Sequence, residues 1–431
     1  MPTYRRMFLF YLPLMVQACA QALTYPLVAM VVVRGSLGSV AMSAYAQGQT
    51  VMFIIGMLGG GLITTGMLYA RDRAGYRSFC RLNFYLAGAI AFLQMLVAIP
   101  PLDDWIFGGL LRLPDELRAA AELTLLLGIP AYFGFMLRNP YQVTLYNAMA
   151  SGRANAASVG RIIFTLILAY AWCYFFPTGG GVVAATVVFT VPIYFEVLLS
   201  WWLARPFLRT MSATAAAPTA SVRQQLSFTL PLTIGGFLLA LSEFIIAAFI
   251  GRGPNPERMV TIHFIVVGIV NPLGFSGLRM QTVLLSYLSN YGTAVKKMVW
   301  RFSAATGLAL GAVVLVALLP AAAAWYFGGV QKLTPLDAQL AAVATLCMLP
   351  FPLLQALRSY NEGLAAFARR PRLILVGQLM FVVTLFVGLG ILSAVAVPGY
   401  LMGVIALCAA SFATQITVWL GLRMRNLEFS V

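Results

Sequence analysis

The sequence has few of the residues that soluble enzymes depend on. Only 12 of its 431 residues are acidic and only one, His263, is a histidine. The sequence therefore contains too few histidine and acidic residues for a histidine-rich metal centre, and a Ser-His-Asp triad is not expected. The five cysteines are odd in number and include no CxxC pair, so neither disulfides nor a zinc site is expected. We expect a protein that is not an enzyme and that carries no metal or other cofactor.

Charge is also scarce, and long apolar runs take its place. Charged residues make up 9% of the chain and hydrophobic residues 61%, whereas soluble domains carry about 25% charged residues. Each apolar run is about 19 residues or longer, which is enough to cross a bilayer. The sequence therefore predicts an all-α polytopic membrane protein with 12 transmembrane helices, near residues 7–33, 43–70, 82–100, 119–148, 158–176, 181–203, 226–250, 259–291, 299–320, 338–365, 373–394 and 398–422.

The net charge of +16 is explained by the predicted membrane topology and does not require a polyanionic partner. Basic residues fall in short clusters between apolar runs, a pattern that argues against nucleic-acid binding. One side of the predicted membrane holds 19 Lys and Arg residues, in loops and at the adjoining ends of spans, and the other side holds 6. Since cytoplasmic loops carry the excess, we predict a multi-pass protein of the cytoplasmic (inner) membrane with both termini in the cytoplasm.

The two halves of the sequence are copies of each other. Pro13 recurs as Pro231 at an offset of 218, within a longer ungapped match, and Arg138 recurs as Arg358 at an offset of 220. Each copy holds six spans, an even number, so both copies enter the membrane in the same orientation and form parallel repeats. We expect residues 1–204 to form an N-lobe, 205–225 a cytoplasmic linker and 226–431 a C-lobe, with a cavity between the two lobes.

These features resemble the multidrug/oligosaccharidyl-lipid/polysaccharide (MOP) exporter superfamily, which includes the MATE transporters. The resemblance rests on FYLPL in span one, SFTLPL in span seven and the linker RPFLRTMSATAAAPTASVRQQ between the two halves. It implies two six-helix lobes around a central V-shaped cavity. Within the superfamily, Phe351, Pro352, Arg358 and Gly363 resemble a pattern of the progressive ankylosis protein family, whose members are associated with export of citrate, pyrophosphate or nucleotide. Close relatives by fold flip lipid-linked oligosaccharides instead.

Three arginines inside spans are the main candidates for substrate binding. Arg138, Arg279 and Arg358 lie at similar depth, where a guanidinium faces a partner or a wet cavity, or else snorkels to the headgroups. Repeat symmetry favours a shared cavity position for Arg138 and Arg358, where two guanidiniums could clamp a phosphate or carboxylate. Polar side chains on the same spans are candidate cavity residues, with interhelical hydrogen bonding as the alternative: Asn139, Gln355, Asn361, Gln17 and Gln21.

Glu243 and His263, in spans seven and eight, are candidates for coupling transport to H⁺ or Na⁺. A buried carboxylate or histidine can link protonation to a conformational switch. The alternatives are a buried hydrogen-bonded pair and an interfacial histidine. Glu196 and Glu362 lie toward the cytoplasmic ends of their spans, where each can pair with a nearby arginine.

The leading functional hypothesis is a monomeric secondary active transporter that exports an anionic substrate by alternating access between two lobes. Its substrate would be a small organic anion or a phosphate-bearing molecule. A flippase for a lipid-linked oligosaccharide or polysaccharide precursor would use the same arginines. An alternative of another functional class is a non-transporting membrane subunit of a secretion assembly. The sequence contains no Walker A motif, so transport driven by ATP would require a partner.

Overall fold

The computed structural model describes residues 2–21, 24–35, 38–111, 113–177, 179–213 and 220–424. Every regular element in these ranges is helical, and eleven helical segments are long and apolar enough to cross a membrane. The remaining predicted span, 7–33, consists of two helices, α1 (Tyr4–Gln21) and α2 (Thr24–Val32). The prediction of an all-α polytopic membrane protein is confirmed.

The chain divides into two compact units. The N-unit comprises Ala20–Thr233, and the C-unit comprises Met1–Cys19 together with Ile234–Val431. These bounds differ from the lobes expected at 1–204 and 226–431, because Met1–Cys19 groups with the second half of the chain. The expected linker and the start of the second repeat, up to Thr233, group with the first half. Both crossings between units lie within proline-containing helices rather than in the linker.

Side-chain contacts explain this exchange of segments. In α1, the Tyr11 hydroxyl donates to the Ser276 carbonyl at 3.0 Å, and the Phe10 ring packs edge-on against Tyr287. In the N-unit, the hydroxyls of Thr229 and Thr65 lie 2.7 Å apart. The repeat offset assigns α1 to the first copy and residues 226–233 to the second copy. It does not show which helices cover the polar and aromatic side chains of these segments.

The N-unit contains the helices of the first repeat that follow α1. Asp72 caps the helix Arg73–Val97 (α5) by accepting a hydrogen bond from the Gly75 N–H at 2.8 Å, which satisfies one of the free donors at the helix start. The helices are α2, α3 (Gly38–Gly56), α4 (Leu62–Tyr69), α5 (Arg73–Val97), α6 (Asp115–Leu127), α7 (Ile129–Asn147), α8 (Ser151–Phe175) and α9 (Val182–Thr210), with a 3₁₀ turn at Met57–Gly59 and a π-helix at Asp104–Leu110.

The C-unit contains the second repeat. Its first helix, Val222–Ala240 (α10), begins in the N-unit and crosses into the C-unit after Thr233. The helices are α10 (Val222–Ala240), α11 (Ser242–Ile250), α12 (Pro256–Leu278), α13 (Met280–Tyr291), α14 (Lys296–Ala317), α15 (Pro320–Ala323), α16 (Pro335–Cys347), α17 (Phe351–Phe367), α18 (Pro371–Ala394) and α19 (Gly399–Met424), with a 3₁₀ turn at Thr293–Val295 and a π-helix at Ala324–Val330.

The same helix pairings recur in the two units. Helix α7 packs against α5 and α9, and its repeat counterpart α17 packs against α14 and α19. Both π-helices lie in the repeated WxFGG loop and begin at the same position of it. A glycine of the second span faces an aromatic ring of the fourth span in both units: Gly56 meets Tyr132, and Gly274 meets Phe351. The repeat in the sequence is therefore also a repeat of internal packing.

Candidate functional site

The N-unit buries one carboxylate between two arginines. Glu196 on α9 is fully buried, and one of its oxygens lies 2.8 Å from Arg138 Nη1 of α7. The other oxygen lies 2.9 Å from Arg161 Nε of α8. The Ser158 hydroxyl donates to Glu196 at 2.5 Å. This Glu196 cluster, formed by Arg138, Ser158, Arg161 and Glu196, joins three helices.

An aromatic ring and unequal exposure distinguish the two arginines of the Glu196 cluster. The Phe135 ring lies under both guanidiniums, 5.1 Å from Arg138 Cζ and 5.5 Å from Arg161 Cζ, so it adds cation–π attraction. The Arg161 side chain is 2% exposed, whereas that of Arg138 is 11% exposed. Arg138 Nε has no hydrogen-bond partner among the described residues. Arg138 is therefore the more exposed of the two arginines, although its unpartnered Nε is itself buried.

The C-unit neutralises its buried arginine within a single helix. Arg358 Nε lies 2.9 Å from Glu362 Oε1, one turn further along α17, and both side chains are at least nine-tenths buried. The Phe381 ring of α18 lies 5.4 Å from Arg358 Cζ. This Arg358–Glu362 pair has no net charge, whereas the Glu196 cluster holds two guanidiniums and one carboxylate and so carries one net positive charge.

The candidate amides next to these arginines take part in interhelical hydrogen bonds, the alternative considered for them. Asn139 donates to the Asn83 side chain at 3.2 Å and so links α7 to α5. In the C-unit, Gln355 donates to the Ser411 hydroxyl at 3.3 Å, and Asn361 donates to Gln415 at 2.9 Å. Both bonds link α17 to α19. These contacts rigidify the helices that carry Arg138 and Arg358.

The remaining polar candidates occupy other places. Arg279 is the single residue between α12 and α13, and its backbone N–H donates to the Ser276 carbonyl at 3.1 Å. Arg279 thus marks a break in the helix of span eight. Helices α4 and α13 begin at positions related by the repeat offset, so the break at Arg279 corresponds to the break at Gly56–Gly61 in span two. Gln17 is buried in α1, whereas the side chain of Gln21 lies outside the described residues.

Glu243 and His263 are separate buried groups in the C-unit. The Glu243 carboxyl group, in the first turn of α11, interacts with the Asn271 side chain of α12. His263 is fully buried against Gly403 and Phe264, among the apolar residues around Ile246. Neither His263 ring nitrogen has a hydrogen-bond partner in the described part of the chain. The two side chains therefore do not form the hydrogen-bonded pair considered from the sequence, and the protein interior surrounds the His263 ring.

Arg161 was not among the site residues predicted from the sequence, where it is one of the 19 basic residues assigned to the cytoplasmic side. The structure places it well inside α8 and in contact with Glu196. A signal was present, because VGR at 159–161 recurs as VGQ at 376–378. At an offset of 217 the arginine is replaced by Gln378, so a charge inside the fifth span distinguishes the two copies.

Comparison with known proteins identifies the fold. No protein-family model and no curated protein matches the sequence. Solved structures do: a MATE transporter in a bent conformation aligns over 97% of this chain and 94% of its own length, with 16% identity and a TM-score of 0.77. The eukaryotic MATE transporter AtDTX14 aligns over 97% and 96% at 14% identity, with a TM-score of 0.73. This chain has the MATE transporter fold.

A third MATE-fold structure bears on pocket chemistry. It is a MOP superfamily transporter from Pyrococcus furiosus, which aligns over 98% of this chain and 95% of its own length at 15% identity, with a TM-score of 0.74. The binding pocket of that protein has reverse polarity, which suggests a different function for it. The alignments span nearly the whole chain, so the helices that carry the Glu196 cluster and the Arg358–Glu362 pair all belong to the shared fold.

Proposed function

We propose that the chain is a monomeric secondary active transporter of the cytoplasmic membrane that exports an anionic substrate by alternating access between two lobes. The observation that carries the proposal is the shared carboxylate: Arg138 and Arg161 both contact Glu196. An unbalanced buried charge in a membrane protein is costly, and such groups are usually functional. A transported anion would neutralise the surplus charge of the Glu196 cluster, which an apolar or cationic substrate would not do.

Arg138 is the residue that we propose contacts the anion. Glu196 occupies one arm of its guanidinium, a buried Nε has no partner among the described residues, and another part of the side chain is exposed. A guanidinium binds carboxylate or phosphate through two parallel N–H donors, a geometry that lysine does not offer. A small organic anion or a phosphate-bearing molecule therefore fits the site.

Arg358 has a different role in this proposal. Because Glu362 already neutralises it, an anion must compete with that carboxylate for the guanidinium. We propose that Arg358, with Gln355, Asn361 and Arg279, forms a weaker anion-binding group in the C-unit. Gln355 Oε1 is buried without a partner among the described residues, which leaves an acceptor for a substrate hydroxyl or a water molecule.

For energy coupling we propose the buried ionisable groups of the C-unit. Glu243 Oε2 has no hydrogen-bond partner in the described chain, and His263 has none for either ring nitrogen. Binding of H⁺ or Na⁺ at Glu243, or of H⁺ at His263, would change a buried charge and so bias one conformation over another. The MATE fold supports a transporter. The reverse polarity of the binding pocket in the Pyrococcus furiosus protein, which shares this fold, supports an unusual substrate charge.

Transport by the purified protein tests the proposal. Proteoliposomes would be assayed for uptake of radiolabelled citrate and pyrophosphate under imposed pH and Na⁺ gradients. We expect gradient-dependent uptake of at least one anion, lost in Arg138→Gln and retained in the matched control Arg77→Gln, whose exposed side chain lies on α5. Parallel assays would follow movement of a fluorescent lipid-linked pyrophosphate across the bilayer. Movement of the lipid without anion uptake would overturn the proposal in favour of a flippase, and a lack of both would favour a non-transporting subunit.

A further inference from the structure

The N-unit has a cavity of about 500 Å³ away from the Glu196 cluster, at the end of α9 and the start of α8. Three of its six lining residues are arginines and none is acidic: Arg153, Trp202, Leu203, Arg205, Pro206 and Arg209. The arginines come from two helices, since Arg153 lies in the first turn of α8 and the other two lie in the last turns of α9. We call this the arginine cavity.

Aromatic rings hold two of these guanidiniums in place. Arg153 Cζ lies 5.0 Å from the centroid of Phe207, and Arg205 Cζ lies 4.7 Å from that of Trp201. Stacking occupies the face of a guanidinium and leaves its N–H edge for hydrogen bonds. In the described part of the chain, none of the three cavity arginines forms an ion pair with a carboxylate. The arrangement is suited to a tetrahedral oxyanion such as phosphate.

The surroundings of the arginine cavity are those of a membrane interface. Trp201 and Trp202 are 41% and 61% exposed, and Leu198, one turn back along α9, is 64% exposed. Exposed tryptophans at the end of a transmembrane helix mark the headgroup level. An apolar surface therefore continues directly from the cavity toward the hydrocarbon region. A ligand that carries both a phosphate and an acyl chain contacts both parts.

We propose that the arginine cavity binds the phosphate group of an anionic phospholipid from the adjacent leaflet. Basic pockets between transmembrane helices recognise lipid headgroups in this way. Interaction of Arg205 and Arg209 with the carboxyl end of the α9 dipole would account for two of the arginines, but not for Arg153, which belongs to the opposite end of another helix. The site is independent of the transported substrate.

Thermal unfolding of the purified full chain in a neutral detergent tests this site. Titration with phosphatidylglycerol is expected to raise the unfolding temperature in a saturable manner. Phosphatidylcholine, whose headgroup has no net charge, and inorganic phosphate, which has no acyl chain, are expected to have little effect at the same concentrations. In the variant R153Q/R205Q/R209Q, the apparent affinity for phosphatidylglycerol should fall about a hundredfold, since each arginine near an anionic lipid contributes about a factor of five.

The matched control removes the same number of charges from exposed arginines elsewhere, in R77Q/R81Q/R301Q. It should bind phosphatidylglycerol like the parent chain. Equal loss in both triple variants would mean diffuse surface electrostatics and would overturn the proposal. Stabilisation by inorganic phosphate as large as that by phosphatidylglycerol would identify a soluble anion as the ligand and overturn the lipid assignment. If the triple variant fails to insert, Arg153→Gln alone should weaken binding about fivefold, and no change would count against the site.

Discussion

The N-unit and the C-unit bury an arginine at the same repeat position, Arg138 on α7 and Arg358 on α17, but they neutralise it from different places. In the N-unit the carboxylate comes from another helix, α9, and a second arginine of α8 shares it. In the C-unit the carboxylate comes from the next turn of the same helix. The first arrangement ties three helices together and leaves a positive charge. The second does neither.

Repeat offsets show which positions changed. At an offset of 220, Glu362 stands where the N-unit has Gln142, and at 217 Gln378 stands where it has Arg161. The buried positions of α9 and α19 coincide at an offset of 218, which places Thr414 opposite Glu196. The carboxylate thus lies on the fourth span in one copy and on the sixth in the other. The two copies share the position of the arginine but not that of the carboxylate that pairs with it. They therefore differ in electrostatics, although their helices pack alike.

The largest expected difference between the units concerns stability. Glu196→Gln leaves two guanidiniums without their carboxylate, so we expect a loss of about 3–5 kcal/mol, the usual effect of removing one partner from a buried ion pair. Glu362→Gln strands only one guanidinium, so its loss should be smaller. Unfolding of both variants in SDS titrations provides the measurement. Equal losses of stability in the two variants would mean that the sharing of Glu196 by two arginines does not stabilise the N-unit further.

The next comparison separates charge from guanidinium geometry at the repeat-related arginines. Arg138→Lys should lower anion transport several-fold although its charge remains, and Arg138→Ala should lower it by more than about tenfold. The Arg161–Glu196 pair survives in both variants, so membrane insertion and stability should be retained. The same ordering is expected with smaller amplitudes for Arg358, because Glu362 already occupies its guanidinium. Transport at the parent rate in both alanine variants would remove the arginines from the site.

A single substitution can make the N-unit resemble the C-unit. Gln142→Glu places a carboxylate one turn after Arg138, as Glu362 is placed after Arg358. The added charge should neutralise the surplus of the Glu196 cluster and reduce anion transport about two- to tenfold without loss of stability. Initial uptake rates at equal protein content provide the measurement. Unchanged uptake would show that net charge in the N-unit does not govern binding of the anion.

The smallest expected effects come from the interhelical amides. Asn139→Ala removes a bond between α7 and α5, and Asn361→Ala removes one between α17 and α19. Interhelical hydrogen bonds in membrane proteins contribute about 0.6 kcal/mol on average, so each loss of stability should be of that order and similar in the two units. A loss of transport in either variant that exceeds its loss of folded protein would instead assign that amide to substrate contact.

Much of the fold was predictable because its determinants are local or periodic. Apolar runs of about 19 residues predict spans, and the constant offsets between Pro13 and Pro231 or Arg138 and Arg358 reveal two copies. Arg138 and Arg358 were predictable as arginines inside spans, and their side chains are only 11% and 4% exposed. Arg161 was not predictable as a site residue, because an arginine close to a predicted span boundary can equally belong to the basic loop beside it.

By itself, the sequence determined the helical class, the number of spans and the internal repeat, because hydrophobic length and self-similarity are properties of the chain read in order. The tertiary structure alone decided which charges neutralise each other. Arg138, Arg161 and Glu196 lie on three different helices, and only the packing of α7, α8 and α9 brings them together. It also decided that Met1–Cys19 packs with the second half of the chain. Burial of a polar or aromatic face depends on which helix covers it, and helices distant in sequence meet only once the chain has folded.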